Sequence, residues 1–157
     1  MKLAARLAQL FDEYLYNKVE DKDYLLLPYT SEVLEKLHRK SYRILMLSIR
    51  HYDSVKRILT HHGLHIYFSH ILSTERFRDG GKTEDAVKDA LKFLMQPPSN
   101  ILWVGDSGTD ISCAKKAGMF AAGVLTGLSN GQTLLDEGAD WILDDISGLE
   151  DILQIDR

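Results

Sequence analysis

The chain has 157 residues, of which 45% are hydrophobic and 27% are charged, and its net charge at pH 7 is −4. This composition is typical of a soluble globular domain, and the lack of a basic block argues against nucleic acid as a partner. No apolar run approaches the ~20 residues of a membrane span, so we expect no membrane contact. A single cysteine, Cys113, excludes an internal disulfide and predicts a reducing, cytoplasmic environment.

The first half of the chain predicts helices that alternate with short strands. An apolar stripe at helical spacing predicts an amphipathic helix over residues 1–16, made of Leu3, Leu7, Leu10, Phe11 and Tyr14. Residues 17–23 are polar and predict a loop. The following predicted elements are a helix capped by Ser31, a strand over 42–47, a helix from Asp53 that ends at Gly63, and a strand over 67–72.

The second half continues this alternation. A polar loop is predicted over 74–81, followed by a helix capped by Thr83 and a strand over 101–104. The next predicted elements are a helix over 107–117 ended by Gly118, a strand over 119–125 and a helix with Ser129 and Gln132 as capping box. The last are a strand over 141–143 and a closing helix over 149–155. Strands that alternate with helices predict a doubly wound, Rossmann-like parallel sheet with helices on both faces.

Two carboxylates follow the predicted strand 101–104. Asp106 and Asp110 lie between that strand and the next helix, and Gly105 and Gly108 allow a tight turn there. Ligands of open α/β sheets bind at the carboxyl ends of strands, and carboxylate oxygens suit a hard cation such as Mg²⁺. The alternative is that Asp106 caps the helix and Asp110 is solvated, because Asp is an ordinary cap residue.

Five histidines form a second candidate metal site: His51, His61, His62, His65 and His70. The string HHGLH at 61–65 offers transition-metal ligands, but Gly63 breaks the helical register that paired ligands need. We therefore favour histidines near the negative end of a helix and in an exposed loop. Cys113 lies in a predicted apolar helix, which favours packing over nucleophilic chemistry.

Three features occur in a fixed order: a strand ending at Ser48, Lys82 before a helix, and GDSGTD after a strand. This order resembles the haloacid dehalogenase-like (HAD) hydrolase superfamily, most of all its phosphoglycolate-phosphatase-like branch. The resemblance covers about four-fifths of the chain and includes PYTSEVLEKLHRKSYRILMLS, GKTEDAVKDAL and GADWILDDISGL. It divides the chain into residues 1–24, a remnant of a cap helix and linker, and residues 25–157, an α/β core.

The resemblance implies transfer of a phosphoryl group to an aspartate and then to water, with Mg²⁺ and a phosphorylated small molecule as substrate. Ser48 would donate a hydrogen bond to the phosphate and Lys82 would neutralise its charge. Asp106 would bind Mg²⁺ directly, with Asp110 in support, directly or through water. Taken singly, Ser48 also fits a turn at a strand end, and Lys82 also fits a solvated side chain.

The sequence departs from the family pattern at the nucleophile. The family's first motif, Asp-x-Asp-Gly after a strand, does not occur. Asp12 in LFDEYLY could imitate the nucleophile, but Tyr14 and Leu15 replace the second Asp and the Gly. Ile49 also stands where the family commonly has Asn. The core is therefore predicted to lack its first strand, most of the cap and an identifiable catalytic nucleophile.

These departures predict a chain without phosphatase activity in isolation and with weak Mg²⁺ binding, since Mg²⁺ binds poorly to few carboxylates. The alternative is a non-catalytic, degenerate HAD-fold protein that acts as a binding or dimerising module. The resemblance places the missing strand between the strands that end at Ser48 and Gly105. Those strands must then pair directly, leave a gap or accept another strand, and we expect a homodimer with the N-terminal helix in its interface.

Overall fold

The computed structural model describes residues 24–73 and 84–155. Within them the chain alternates strands with helices, as predicted from the sequence. The elements are α1 (Thr30–Arg39), β1 (Ile44–Ser48), α2 (Tyr52–His61), β2 (Phe68–Ser73), α3 (Glu84–Leu94), β3 (Leu102–Gly105), α4 (Gly108–Lys116), β4 (Phe120–Val124), α5 (Gly131–Asp136), β5 (Trp141–Leu143) and α6 (Leu149–Leu153). None of the described helices is long and apolar enough to cross a membrane.

The five described strands form two parallel sheets. β1 pairs with β2, and Met46 lies opposite Ile71. The second sheet has the order β3-β4-β5, and Val104 lies opposite Ala122. No ladder joins β1 to β3 in the described part of the chain. Of the three arrangements open to these two strands, direct pairing is therefore wrong, and a gap or a strand from elsewhere stays a prediction.

Helix α1 holds the two sheets together on one face. Its Leu34 packs with Val55 and Leu59 of α2 against the β1–β2 sheet. Val33 and Leu37, on the adjoining side of the same helix, pack against the C-terminal residues and the second sheet. The Lys36 ammonium bonds both oxygens of Glu150 at 2.8 and 2.9 Å, which ties α1 to α6.

Helix α3 spans the opposite face. Val87 is fully buried among residues of α4 and the second sheet, where Trp103 packs against the same cluster. Farther along the helix, the Phe93 ring lies 4.6 Å from the ring of His70 in β2. The carbonyl of Leu94 accepts a hydrogen bond from Arg43, which lies just before β1. Helices therefore cover both faces, as the predicted doubly wound fold requires.

The strands that lack a described neighbour on one edge are less buried than β4. Each residue of β1 is only partly buried, although four of its five residues are apolar. In β4, which has neighbours on both edges, Ala121, Ala122 and Gly123 are buried. Val104 of β3 is 37% exposed. These two strands are thus less buried than an interior apolar strand should be.

Two predicted helix caps are wrong. Tyr29, not Ser31, precedes α1 in a left-handed conformation, with φ 64°. Asn130, not Ser129, caps α5, because its side chain accepts a hydrogen bond from the Thr133 amide. The predicted left-handed Gly118 is confirmed at φ 77°. The predicted helix over 1–16, loop over 74–81 and cap Thr83 lie outside the described residues.

Candidate functional site

The carboxylate of Asp106 is held at the carboxyl end of β3 by the loop that follows β4. The Leu128 amide donates a hydrogen bond to Asp106 Oδ2 at 3.0 Å, and the Ser129 amide donates to the Asp106 carbonyl at 3.0 Å. Gly127 lies so close that a Cβ atom there would be 1.9 Å from Oδ2. The loop over 126–129 therefore fixes the orientation of this carboxylate.

Asp110 is buried and stabilises the turn between β3 and α4. Its Oδ2 accepts hydrogen bonds from the Ser107 hydroxyl at 2.7 Å and the Ser107 amide at 3.3 Å. The Ser107 hydroxyl accepts from the Asp110 amide in return, which completes a capping box. A Cβ at Gly105 would lie 2.4 Å from Asp110 Cβ, so this close approach requires glycine.

The alternative in which Asp106 caps the helix and Asp110 is solvated is therefore wrong. Ser107 is the cap, and the side chain of Asp110 is 1% exposed. Its hydrogen bonds favour a supporting role, in which it positions the turn that carries Asp106. Whether it also reaches a metal stays a prediction.

Sequence reasoning missed the residues that hold Asp106. Gly127 and Ser129 contact it from about twenty positions along the chain, and the Ser129 hydroxyl also accepts a hydrogen bond from the Gly108 amide at 3.3 Å. The available signal was the string TGLSN directly after an apolar strand, because polar and glycine residues at the carboxyl end of a parallel strand lie beside the neighbouring strand's end.

Ser48 is the last residue of β1. Its Oγ accepts a hydrogen bond from the Arg50 amide at 3.1 Å, and the Arg50 carbonyl accepts from the Ser73 hydroxyl of β2 at 2.7 Å. These bonds fix the Ser48 oxygen, and its hydroxyl proton has no acceptor among the described residues. The side chain therefore has a donor available for an added ligand. Ile49 beside it is 57% exposed.

The structure brings part of the predicted site to one edge. Ile44 and Leu102, the first residues of β1 and β3, pack against one cluster, so the two strands start at the same end. Ser48 and Asp106 therefore lie at the same carboxyl edge. Lys82 and Asp12 lie outside the described residues, as does the Asp-x-Asp string at 21–23, which Tyr24 follows in place of glycine.

Asp106 is the described carboxylate that could offer an oxygen to a cation such as Mg²⁺. Asp106 Oδ2 is bonded to the loop, while the described part of the chain offers no hydrogen bond to Oδ1. A single carboxylate oxygen with water in the remaining positions suits Mg²⁺, which keeps several waters. Within 24–73 and 84–155, no group of three or more His, Cys, Asp or Glu is arranged to hold a metal.

Three of the five candidate histidines make hydrogen-bond or ring contacts that the structure describes. His62 Nε2 lies 2.7 Å from the Tyr24 carbonyl, and the His61 and His62 rings make an edge contact at 4.9 Å. His70 packs against Phe93 on a different element. His62 and His70 therefore contact different parts of the fold: His62 contacts the backbone at Tyr24, and His70 packs against α3.

Comparison with known proteins points to one family. A family model described as haloacid dehalogenase-like hydrolase matches residues 1–118. The phosphoglycolate phosphatase of Vibrio vulnificus strain CMCP6 is 28% identical over 158 aligned residues, which cover 98% of this chain and 67% of that protein. The phosphoglycolate phosphatase of Haemophilus influenzae strain 86-028NP is 30% identical over 135 aligned residues, which cover 82% of this chain and 57% of that protein.

Solved structures share the fold. A haloacid dehalogenase-like family protein from Streptococcus pneumoniae superposes with a TM-score of 0.83 at 19% identity, covering 96% of this chain and 70% of its own. A predicted phosphoglycolate phosphatase from Haemophilus somnus gives a TM-score of 0.72 at 28% identity, covering 85% of this chain and 58% of its own. The aligned part thus spans between 57% and 70% of the length of these four relatives.

Proposed function

Because this chain belongs to the haloacid dehalogenase-like hydrolase family, in its phosphoglycolate-phosphatase-like branch, we propose that it is the Mg²⁺- and phosphate-binding part of a phosphate monoesterase. The observation that carries this proposal is the carboxylate of Asp106. It stands directly after β3, is fixed by the loop over 126–129, and keeps Oδ1 without a hydrogen bond from the described residues.

Each residue has a role that its contacts allow. Asp106 would hold Mg²⁺, which supplies positive charge to offset the charge of a phosphate. Asp110 acts through Ser107, because its Oδ2 bonds hold the turn that orients Asp106. Ser48 would donate its hydroxyl proton to a phosphate oxygen, while its Oγ accepts the hydrogen bond from the Arg50 amide. Lys82 is proposed as the cation on the phosphate.

We expect no appreciable turnover by the isolated chain. The family's covalent path needs an aspartate nucleophile, and loss of the group that forms the intermediate removes the path itself. The sequence has no Asp-x-Asp-Gly motif. A longer chain, a separate polypeptide or Asp12 would have to supply the nucleophile.

The substrate class is a phosphorylated small molecule. The relatives from Vibrio and Haemophilus are named phosphoglycolate phosphatases, which makes a small phosphorylated acid the first compound to test.

A phosphatase assay with p-nitrophenyl phosphate and Mg²⁺ tests the proposal. We expect the rate of the isolated chain to equal that of Asp106→Asn. Mg²⁺-dependent turnover that Asp106→Asn abolishes, and that Asp144→Asn leaves intact, would overturn the expected inactivity. If Asp12→Asn also abolished it, Asp12 would be the nucleophile.

A second candidate function is a non-catalytic binding or dimerising module. The divided sheet favours it, because an open strand edge is a site for association. The affinity for inorganic phosphate, measured with and without Mg²⁺, distinguishes the two functions. A phosphatase component should bind phosphate more tightly with Mg²⁺, whereas a module built on the sheet edges should not.

A further inference from the structure

Two large aliphatic side chains stand exposed beside the candidate anchor residues Asp106 and Ser48. Leu128 is 87% exposed, and its backbone amide donates a hydrogen bond to Asp106 Oδ2 at 3.0 Å. Ile49 is 57% exposed and directly follows Ser48, the last residue of β1. Both residues therefore lie at the carboxyl edge of the strands, next to groups that would hold the phosphate and Mg²⁺.

The backbone holds Leu128 in a fixed place. The Ser129 amide donates to the Asp106 carbonyl at 3.0 Å, so residues 128 and 129 are both bonded to Asp106. Gly127, on the other side, packs against the same carboxylate. A leucine side chain extends about 5 Å from its own amide nitrogen, so the methyl groups of Leu128 lie within about 8 Å of Asp106 Oδ2. The exposure of Leu128 therefore belongs to a well-bonded loop at the candidate site.

Hydrogen bonds hold the turn around Ile49 in the same way. Ser48 Oγ accepts from the Arg50 amide at 3.1 Å, and the Ser73 hydroxyl donates to the Arg50 carbonyl at 2.7 Å. Ile49 lies between these bonded residues, one position from the hydroxyl proposed to bind phosphate. More than half of its side chain meets water, so that apolar surface is available to a ligand.

The charges beside these side chains do not favour a second anionic group on the ligand. The loop over 125–129 is Leu-Thr-Gly-Leu-Ser and carries no charge. The Arg50 guanidinium, the cation nearest to Ser48 along the chain, lies 5.6 Å from the centre of the Tyr24 ring in a cation–π contact. A carboxylate placed against Leu128 or Ile49 would lose water without gaining a partner.

We propose that Leu128 and Ile49 form an apolar rim that contacts the organic part of the substrate, so that the site prefers phosphate monoesters of apolar alcohols or phenols to phosphorylated acids. The phosphate would be held at Ser48 and Asp106, and its ester group would extend over one or both aliphatic side chains. The rim selects the substrate and takes no part in the chemical step. This inference rests on the proposed phosphate monoesterase function and adds the class of ester to it.

NMR titration of the full chain in the presence of Mg²⁺ tests this preference. The probes are methyl phosphate, phenyl phosphate and phosphoglycolate, which share the phosphate and differ in the organic group. The amides of residues 48–50 and 126–129 report binding, with each probe titrated into the millimolar range. We expect phenyl phosphate to bind about tenfold more tightly than methyl phosphate, because its ring leaves water for an aliphatic surface. Phosphoglycolate should bind no more tightly than methyl phosphate.

Two variants assign the preference to the rim. Leu128→Asn keeps the backbone amide but makes the side chain polar, and it should reduce the ratio of phenyl phosphate to methyl phosphate affinity by about threefold or more. Ile49→Thr keeps the branched shape and should reduce the ratio by about twofold. Leu135→Asn changes an exposed leucine on α5 and is the control, which should leave the ratio unchanged. The ratio is measured because an effect on the phosphate alone cancels in it.

Equal affinities for methyl and phenyl phosphate would overturn the inference and leave the proposed phosphate site standing. A preference for phenyl phosphate that Leu128→Asn and Ile49→Thr both leave intact would also overturn it, since the ring would then lie elsewhere. Tighter binding of phosphoglycolate than of phenyl phosphate would mean that this edge recognises an acid. If the folded chain does not bind methyl phosphate even with Mg²⁺, the proposed function fails and the inference fails with it.

Discussion

At the scale of single residues, the candidate site depends on one glycine. A methyl group at Gly127 would overlap the Asp106 carboxylate. We expect Gly127→Ala to break the bond from the Leu128 amide to Asp106 and to destabilise the fold by about 1–3 kcal/mol. Mg²⁺ binding, which we expect to be of millimolar order in the wild-type chain, should weaken further because the carboxylate is displaced.

Calorimetric titration with Mg²⁺ and urea unfolding measure the two effects. Gly131→Ala is the matched control, because a Cβ there meets nothing nearer than 3.6 Å. Micromolar affinity in the wild-type chain would contradict the weak site, and unchanged Mg²⁺ binding in Gly127→Ala would contradict the role of the loop.

Asp140 gives the fold an acid-sensitive bond. Burial raises the pKa of this carboxyl, but the hydrogen bonds from the Lys115 ammonium and the Ala121 amide outweigh burial and leave the pKa below its ordinary value of 3.8. Because the folded pKa is lowered, the ionised group stabilises the fold above pH 3.8, and this contribution is lost as the pH falls through the folded pKa.

We therefore expect Asp140→Asn to flatten the decline of the urea midpoint below pH 3.8 and to lower the midpoint at neutral pH. Asp144→Asn, at an exposed position nearby, serves as control. An unchanged acid decline in Asp140→Asn would show that other carboxyls account for it.

At the scale of elements, α1 is the connection between the two sheets. Leu34 and Leu37 are both buried but contact different clusters. Truncation of either to alanine should cost about 2–5 kcal/mol, whereas Glu35→Ala on the exposed face should change stability by less than about 0.5 kcal/mol.

The location of the tryptophans makes this prediction specific. Trp103 and Trp141 both lie in the β3-β4-β5 sheet, yet Leu34 packs on the other sheet. If α1 couples the sheets, Leu34→Ala lowers the unfolding midpoint seen by tryptophan fluorescence as much as the midpoint seen by circular dichroism. A fluorescence midpoint that stayed at the wild-type value would show that the sheets unfold independently.

The sequence predicted the described strands well because each is a short apolar run between turn residues. The observed bounds of β1 and β4 differ from the predicted 42–47 and 119–125 by one or two residues. The helix caps were harder to predict, because several neighbouring residues could each begin the helix. Candidates for α1 are Tyr29, Thr30 and Ser31, and candidates for α5 are Ser129 and Asn130. The clamp of Gly127 and Ser129 on Asp106 was missed because it joins distant parts of the chain.

At the scale of the whole molecule, exposed apolar surface favours a homodimer. Leu25 and Leu27 are 87% and 55% exposed. The apolar stripe of the predicted N-terminal helix lies outside the described residues, and burial of both surfaces against a second copy would remove them from water. We expect sedimentation equilibrium at micromolar concentration to give twice 17.8 kDa.

Leu7→Asp and Phe11→Asp should shift that mass toward the monomer, because each places a charge in the predicted interface. Leu135→Asp, on the exposed side of α5, is the control. A mass near 17.8 kDa in the wild-type chain, unchanged by the two variants, would rule out the dimer.

The described strands form a divided sheet, in which β1 and β3 do not pair with each other, and amide exchange in the isolated chain tests this division most directly. Successive N–H groups of a strand point to opposite sides, so a strand paired on one edge protects alternate amides. NMR-detected exchange should show alternating protection in β1 and β3 and continuous protection in β4. Continuous protection in all three strands would contradict a divided sheet.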